Sequence, residues 1–372
     1  FIDSNEKIKV IQLVLDLGTG GVEKFVVDLA LNLDKEKYDV TVVSLVSRKN
    51  SIFENILEKS GIKVVYLDMS MKHFDYSVIG KVNRLIKKEK PHVLHIHTYI
   101  MKAALFSILF NDIKVKIHTV HVPAQVEIKQ CSKIVLKLAY KLGKVMPVAV
   151  SENVKSGIES CFKIEDVKLI YNGIDFKRFK AAKEKKDKES IKFINVARFM
   201  PEKNHEMLVK AFAKVCEKYS NVKLFLVGKG RLQEKIKNFV KELNIEDKVE
   251  FLGLREDIPE LLNKSDIFLL TSDYEGFGLV LAEAMCCKVP VISTNAGAVS
   301  ELVKDKENGI LVPKGDIDAF AKSMIYLIEN KALREEYAEN ALKSVKKFDL
   351  KYTISAYEKL YLEGVNSYNY GR

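Results

Sequence analysis

The sequence predicts an α/β protein of two doubly wound domains, each a parallel sheet covered by crossover helices, facing a central cleft. Three observations predict it. Short β-branched runs alternate with helical patterns almost throughout, the order expected of strand, crossover helix and parallel strand. The alternation stops near Asn172 and restarts at Ile191. The chain has 372 residues, more than one ordinary core organises, so two domains of about 180 residues are expected.

In the first half the strands read KIKVIQLVLD, YDVTVVSL, IKVVYLD, HVLHIH, KVKIHTV, VMPVAVS and VKLIYN. Helical stretches such as EKFVVDLALNLD and YSVIGKVNRLIKKEK lie between them. The second set is IKFINVAR, VKLFLVG, KVEFLG, DIFLLTS, PVIST and GILVP. Between the sets, NGIDFKRFKAAKEKKDKES (172–190) is a turn followed by a lysine-rich run with little to bury, which places the boundary there. The expected domains are therefore 1–178 and 179–349. The amphipathic stretch in 350–372 is expected to return to the first domain.

No run of eighteen apolar residues occurs, and the longest candidate, AALFSILF (103–110), reads as a buried or half-buried helix. The opening FIDSNEKIKVIQLVLDLG lacks the order of an export signal, and its apolar part reads as a strand. Cys131, Cys161, Cys216, Cys286 and Cys287 form no C-x-x-C pair and sit in apolar patterns, which suits a reducing cytoplasm. The net charge of +11 is uneven: residues 1–180 hold 29 Lys+Arg against 20 Asp+Glu, the remainder 32 against 30. A basic first half suits an anionic acceptor or membrane surface, and lysine-rich composition alone explains it as well.

Open parallel sheets bind ligands beyond the carboxyl ends of their strands, so chemistry is sought in strand-to-helix loops. LGTGGVEKF (17–25) follows the first strand. Its glycines do not make a dinucleotide fingerprint, but Gly20 and Gly21 offer backbone N–H groups to a phosphate at the helix start. In VARFMPEKNHEMLVKAF, Arg198 follows a strand and Lys203 starts the next helix, a fork-shaped guanidinium and a mobile ammonium suited to a diphosphate. In DYEGFGLVLAEAM (273–285), glycines place Glu275 on a loop and start the helix near Gly278, with Glu283 in its early turns. The helix start favours an anion. Beside a neutralised diphosphate, carboxylates accept paired hydrogen bonds from vicinal diols: Glu283 from a ribose, Glu275 from an attached sugar. The bland alternative is that each is an exposed glutamate interacting with the helix dipole.

The E-x(7)-E pair Glu275 and Glu283, Arg198 with Lys203, GGVEKF, NGID (172–175) and VGKG (227–230), in this order over nearly the whole chain, resemble glycosyltransferase family 4. The resemblance implies the GT-B fold of two Rossmann-like domains and a retaining sugar transfer. It implies a nucleotide-sugar donor, usually UDP-linked, on the second domain and an acceptor on the first. It also implies that Leu254 lies near the base and that Gly276, Phe277, Gly278 and Leu279 line the donor with backbone groups. His121, in HTVHVP, resembles the family's cleft histidine, which orients the transferred sugar or the acceptor; His97 is an acceptor-side candidate. One departure is Ala298 in AGAVSEL (296–302), where many relatives have a second glycine.

His95, His97, His118 and His121 crowd two strand ends, but no carboxylate or cysteine accompanies them at ligand spacing, so hydrogen-bonded histidines are expected rather than zinc. Asp316 and Asp318 have D-x-D spacing and are better explained as a helix cap. Neither metal nor cofactor is expected, and cationic side chains would stabilise the leaving diphosphate. The expected function is transfer of a sugar to a hydroxyl of a glycan or lipid-linked acceptor, in cell-surface polysaccharide or glycolipid synthesis. Same-fold rivals are a UDP-sugar epimerase and a pyridoxal-dependent phosphorylase. A rival of another class is a non-enzymatic basic surface binder, although no nucleic-acid module is recognisable. SKIVLKLAYKLGK (132–144) suits an anionic lipid surface, which would make the protein cytoplasmic and peripheral at the inner face of the membrane. Acceptor loops such as Asp68–Asp75 are particular to this chain.

Overall fold

The computed structural model describes residues 6–70, 75–182 and 190–370. Most of the lysine-rich run at the expected boundary (183–189) and part of the Asp68–Asp75 loop (71–74) lie outside the described residues. The chain divides into two compact units, one of residues 1–173 with 351–372, the other of residues 174–350.

Unit 1 is a seven-stranded parallel sheet of β1 (Ile8–Val14), β2 (Tyr38–Ser44), β3 (Lys63–Tyr66), β4 (Val93–His97), β5 (Val115–Val120), β6 (Met146–Ala149) and β7 (Lys168–Leu169). Its order is β3-β2-β1-β4-β5-β6-β7. Both β1 and β2 are buried at every position but the second, which is why they read as near-continuous apolar runs rather than as alternating ones. Helix starts follow local capping. Ser51 and Glu54 form a reciprocal capping box on the helix Ile52–Lys59, and Ser151 caps Glu152–Phe162. Cys131 is buried and Cys161 half-buried in this unit, and neither forms a disulfide.

The C-terminal helix Leu350–Tyr370 belongs to unit 1 from Lys351 onward, and two tyrosines on its buried face carry hydrogen bonds into the sheet. The Tyr361 hydroxyl lies 2.6 Å from His95 Nδ1, and the Tyr357 hydroxyl 2.8 Å from Thr119 Oγ1, which in turn lies 2.7 Å from His95 Nε2. All four side chains are buried, so each bond replaces water that is no longer accessible. Tyr357→Phe is expected to destabilise the protein by about 1 kcal/mol, read by urea unfolding; an unchanged midpoint would show that the hydroxyl holds nothing.

Unit 2 has six parallel strands, β8 (Ile191–Val196), β9 (Val222–Val227), β10 (Val249–Gly253), β11 (Ile267–Leu270), β12 (Val291–Thr294) and β13 (Ile310–Val312), in the order β10-β9-β8-β11-β12-β13. Its two chain ends lie side by side: Ile174 N–H donates to Phe348 O at 2.8 Å, and Leu350 N–H to Ile174 O at 2.9 Å. Asp316 caps the helix Ile317–Glu329 by accepting from Ala319 N–H at 2.9 Å, and Asp318 pairs with Lys214, so the D-x-D pair is occupied by capping and an ion pair. No helix among the described residues is long and apolar enough to cross a membrane.

Candidate active site

In unit 2 the strand order reverses between β8 and β11, and the loops leaving their carboxyl ends diverge there, which is where open α/β sheets form a ligand crevice. The loop after β8 carries Arg198, a tight turn Pro201–Lys203, and Asn204. Asn204 takes a left-handed conformation (φ 47°) and caps the helix His205–Lys218 by accepting from Met207 N–H. The loop after β11 carries Ser272 to Gly278. At φ 91° Gly278 turns the chain into the helix Leu279–Cys286 and supplies no side-chain cap to its first N–H groups.

Four bonds stitch the two loops together, and a fifth, from Ser272 to Glu275, braces the second loop from within. Lys203 Nζ donates to Glu275 Oε1 at 2.6 Å, and Ser272 Oγ donates to the same oxygen at 2.7 Å. Thr271 Oγ1 reaches Lys203 O at 3.1 Å, Asp273 N–H donates to Glu202 O at 2.8 Å, and Asn204 Nδ2 donates to Asp273 Oδ1 at 3.1 Å. Both bonds to the Glu275 carboxylate fall on Oε1, which leaves Oε2 to accept from a ligand. An ammonium has three donors, so Lys203 keeps two for a second anion. Arg198 is exposed and forms a long 3.8 Å ion pair with Glu202. Glu283 is 4 % exposed, and Glu275 is largely covered as well. The bland alternative of exposed helix-start glutamates therefore does not describe this site.

Glycines from neighbouring strands press on these loops. A Cβ on Gly228 (φ 136°) would overlap Ala197 O, and one on Gly230 would come 2.5 Å from Phe199 O, so the VGKG segment supports the backbone on both sides of Arg198. Gly297 (φ 61°) lies against the Glu275 carbonyl in the same way, and Ala298 N–H donates to that carbonyl at 3.2 Å. The Ala298 departure is thus harmless to the backbone, whereas Gly297 has no substitute. Gly297→Ala is expected to cost about 2 kcal/mol and to lower Tm by several degrees, from the left-handed conformation and the overlap together. A variant melting with the parent would show that the loop yields freely.

Of the expected donor residues, Arg198, Lys203, Glu275, Gly276, Phe277, Gly278, Leu279 and Glu283 all sit on the loops and the helix at this switch point. The Phe277 ring is buried against Phe348, centroids 5.2 Å apart, so it is taken up in packing. Leu254 lies beyond the end of β10, exposed, beside the VGKG segment that Gly253 O joins by accepting from Gly228 N–H at 2.8 Å. Sequence reasoning missed Ser272, Asn204 and Gly297, which position Glu275 and Lys203. The signals present were a serine and an asparagine at strand-to-helix turns and a glycine after β12.

Gly20, Gly21, His97 and His121 belong to unit 1; the glycines and His97 lie at the reversal between β1 and β4, and His121 follows the neighbouring β5. Gly20 begins the helix Gly21–Asn32 without a side-chain cap, and the Glu23 carboxylate folds back over it. His97 lies behind His121: its Nδ1 is 3.3 Å from His121 Nε2, and its Nε2 is 3.2 Å from Gln12 Oε1. His97 is sealed from solvent. His121 is 7 % exposed, and its Nδ1 has no partner among the described residues. Burial lowers the pKa of His121 to about 3 and that of His97 well below the usual imidazole value, so both are neutral. A carboxylate does reach the histidine cluster, contrary to expectation: Glu127 Oε1, from the helix Ala124–Cys131, lies 3.5 Å from His118 Nε2. Sequence spacing could not show this, because the helix folds back over the strand end. No group of three metal-ligating side chains forms among the described residues.

Known proteins place this architecture. The sequence signature of Glycosyltransferase Family 4 matches residues 19–178, and that of Glycosyl transferases group 1 matches residues 176–344. The chain is 30% identical to N-acetyl-alpha-D-glucosaminyl L-malate synthase of Bacillus anthracis, over 85% of this chain and 86% of that protein. It is 26% identical to the UDP-Gal:alpha-D-GlcNAc-diphosphoundecaprenol alpha-1,3-galactosyltransferase of Escherichia coli, over 97% and 98% respectively. Among solved structures, Anabaena Alr3699/HepE in complex with UDP and glucose superposes with a TM-score of 0.81 at 21% identity, covering 95% of this chain and 98% of that one. Sucrose-phosphate synthase of Thermosynechococcus elongatus gives 0.83 at 20%, covering 96% and 99%. The two parallel-sheet units, both sequence signatures and the full-length likeness agree: the chain belongs to glycosyltransferase family 4, a hexosyltransferase on the GT-B fold.

Proposed function

We propose that the protein moves a sugar from a UDP-sugar to a hydroxyl of a glycan or lipid-linked acceptor, with retention at the anomeric carbon, in cell-surface polysaccharide or glycolipid synthesis. The observation that carries the reading is the Lys203–Glu275–Ser272 cluster beside the uncapped helix start, because it sets two spare ammonium donors and one spare carboxylate oxygen side by side. Lys203, Arg198 and the helix N–H groups take the diphosphate, Glu275 Oε2 the sugar hydroxyls, and Glu283 the ribose. The base lies by Leu254. Support for UDP comes from the galactosyltransferase relative and from HepE, whose names state UDP donors or complexes. Support for a lipid-linked acceptor comes from the diphosphoundecaprenol substrate of that relative.

As the bond from C1 to the phosphate oxygen breaks, charge grows negative on the diphosphate and positive on the sugar ring. Preorganised cations and N–H groups meet the first of these, and that is where the rate is gained. The acceptor oxygen bonds to C1 on the face the diphosphate leaves. Its proton passes to the departing phosphate oxygen, so atoms and charge balance without a protein base. On this reading His121, through its unpartnered Nδ1, orients the sugar or the acceptor, and His97 holds His121 in place. Gly20 and Gly21 add backbone donors.

The test is thermal unfolding with UDP-, GDP- and ADP-sugars, followed by acceptor-free incubation and by assignment of the product anomer. UDP-sugars at about 100 times their Kd are expected to add about 2.7 kcal/mol of stability. The expected product keeps the donor's anomeric configuration, and no epimer of the UDP-sugar forms without acceptor. Stabilisation by GDP- or ADP-sugars alone, an inverted product or acceptor-free epimerisation would each refute the corresponding part.

A further inference from the structure

Helices Met101–Phe110 and Lys133–Lys141 follow β4 and β5, and right-handed crossovers in the order β4-β5-β6 put both on one face of the unit 1 sheet. They pack together: a Cβ on Gly143, just past the second helix, would come 2.6 Å from Ile108 Cγ2 on the first. Their outer faces are apolar. Phe106, Leu109 and Phe110 of the first helix and Ile134, Leu138 and Leu142 at the second are all exposed, Phe110 at 69 % and Ile134 at 71 %. The Phe106 and Phe110 rings lie against each other, tilted at 39° with centroids 4.7 Å apart, so an aromatic pair stands in solvent with no core to fill. Scattered exposed apolar residues are ordinary, but six on two adjoining helices form a patch that needs a partner.

The surrounding charge says which partner. Lys133, Lys137, Lys141 and Lys144 are exposed around the patch, and the third helix on this face, Ser77–Glu89, adds Arg84, Lys87 and Lys88. Residues 101–144 hold eight lysines and two acids. Of those acids Glu127 is buried, and Asp112 accepts from the Tyr368 hydroxyl. Exposed aromatic and aliphatic side chains ringed by lysines, with Asp112 the one exposed acid in residues 101–144, complement a surface that is apolar inside and negatively charged outside. We propose that this face of unit 1 docks on an anionic lipid bilayer, with Phe106, Phe110, Ile134 and Leu142 entering the headgroup boundary and the lysines lying on the acidic headgroups.

The test is co-sedimentation of the full chain with vesicles of phosphatidylcholine containing roughly one-third phosphatidylglycerol, against pure phosphatidylcholine, at low and high salt. Binding is expected on the anionic vesicles at low salt, largely lost at high salt and weak on the neutral ones. Phe106→Ser with Phe110→Ser is expected to weaken partition at least about tenfold, and Lys133→Ser, Lys137→Ser and Lys141→Ser together about a hundredfold on anionic vesicles only. Circular-dichroism melts show that each variant is folded, and a second set, Phe110→Ser alone and Lys137→Ser alone, serves if a multiple variant is not. The assay contains no nucleotide-sugar, so its outcome is separate from that of the transfer reaction. The proposal is overturned if the parent ignores anionic vesicles, if folded variants sediment as the parent does, or if sedimentation velocity shows a dimer that the same substitutions dissociate without any vesicle binding.

Discussion

Lys203→Ala is expected to lower the rate of sugar transfer by about 10²- to 10³-fold, the usual effect of removing one preorganised donor from a developing oxyanion. The structure adds a second consequence. Lys203 and Ser272 both bond Glu275 Oε1, so the alanine variant leaves a largely covered carboxylate with one of its two partners. Glu275 then loses its fixed direction, and donor affinity falls along with turnover. Arg198→Ala is expected to cost less in stability, because its ion pair with Glu202 is long and the guanidinium is exposed, while still slowing transfer. Steady-state kinetics with urea unfolding separate these effects. Near-parental turnover in both variants would remove the two cations from the mechanism.

The second large effect is on stability in mild acid. His95, His97 and His121 are buried in unit 1, and burial lowers the pKa of each, His121 to about 3 and the other two well below 6.5. In the unfolded chain they titrate near 6.5. Below that pH the unfolded state binds protons that the native state refuses, so stability is complete above about pH 6.5 and falls as pH drops from there towards the native values. Each histidine contributes up to about 1.4 kcal/mol per pH unit, and the three together up to about 4. Urea unfolding between pH 7.5 and 5 is expected to show this loss, and His97→Gln should remove about a third of the slope. A flat midpoint across that range would mean that the native cluster accepts protons freely.

The sheets were legible because parallel strands covered on both faces read as β-branched runs, and all thirteen strands of the two sheets coincide with such runs. Glu275 on a loop and a helix beginning at Gly278 were legible for a local reason, since a glycine with φ 91° can end the loop where a side chain could not. The supports of the site were not. Gly297 is a neighbour of Glu275 only because β12 lies beside β11, and Tyr361 reaches His95 from 266 residues away. Glu127 meets His118 for the same reason, across a fold rather than along a helix. Spacing rules describe one element at a time, and these contacts depend on which elements pack together. The exposed Phe106 and Phe110 were invisible too, because an apolar run such as AALFSILF does not reveal which of its faces is covered.

The most direct measurement is a structure of the protein with a bound, non-transferable UDP-sugar analogue. The diphosphate is expected against Lys203 and the first N–H groups of the helix Leu279–Cys286, with Glu275 Oε2 bonded to a sugar hydroxyl and the Glu283 carboxylate bonded to the ribose diol. A nucleotide seated away from the β8–β11 reversal, or ribose and sugar hydroxyls that both ignore these two glutamates, would contradict this placement.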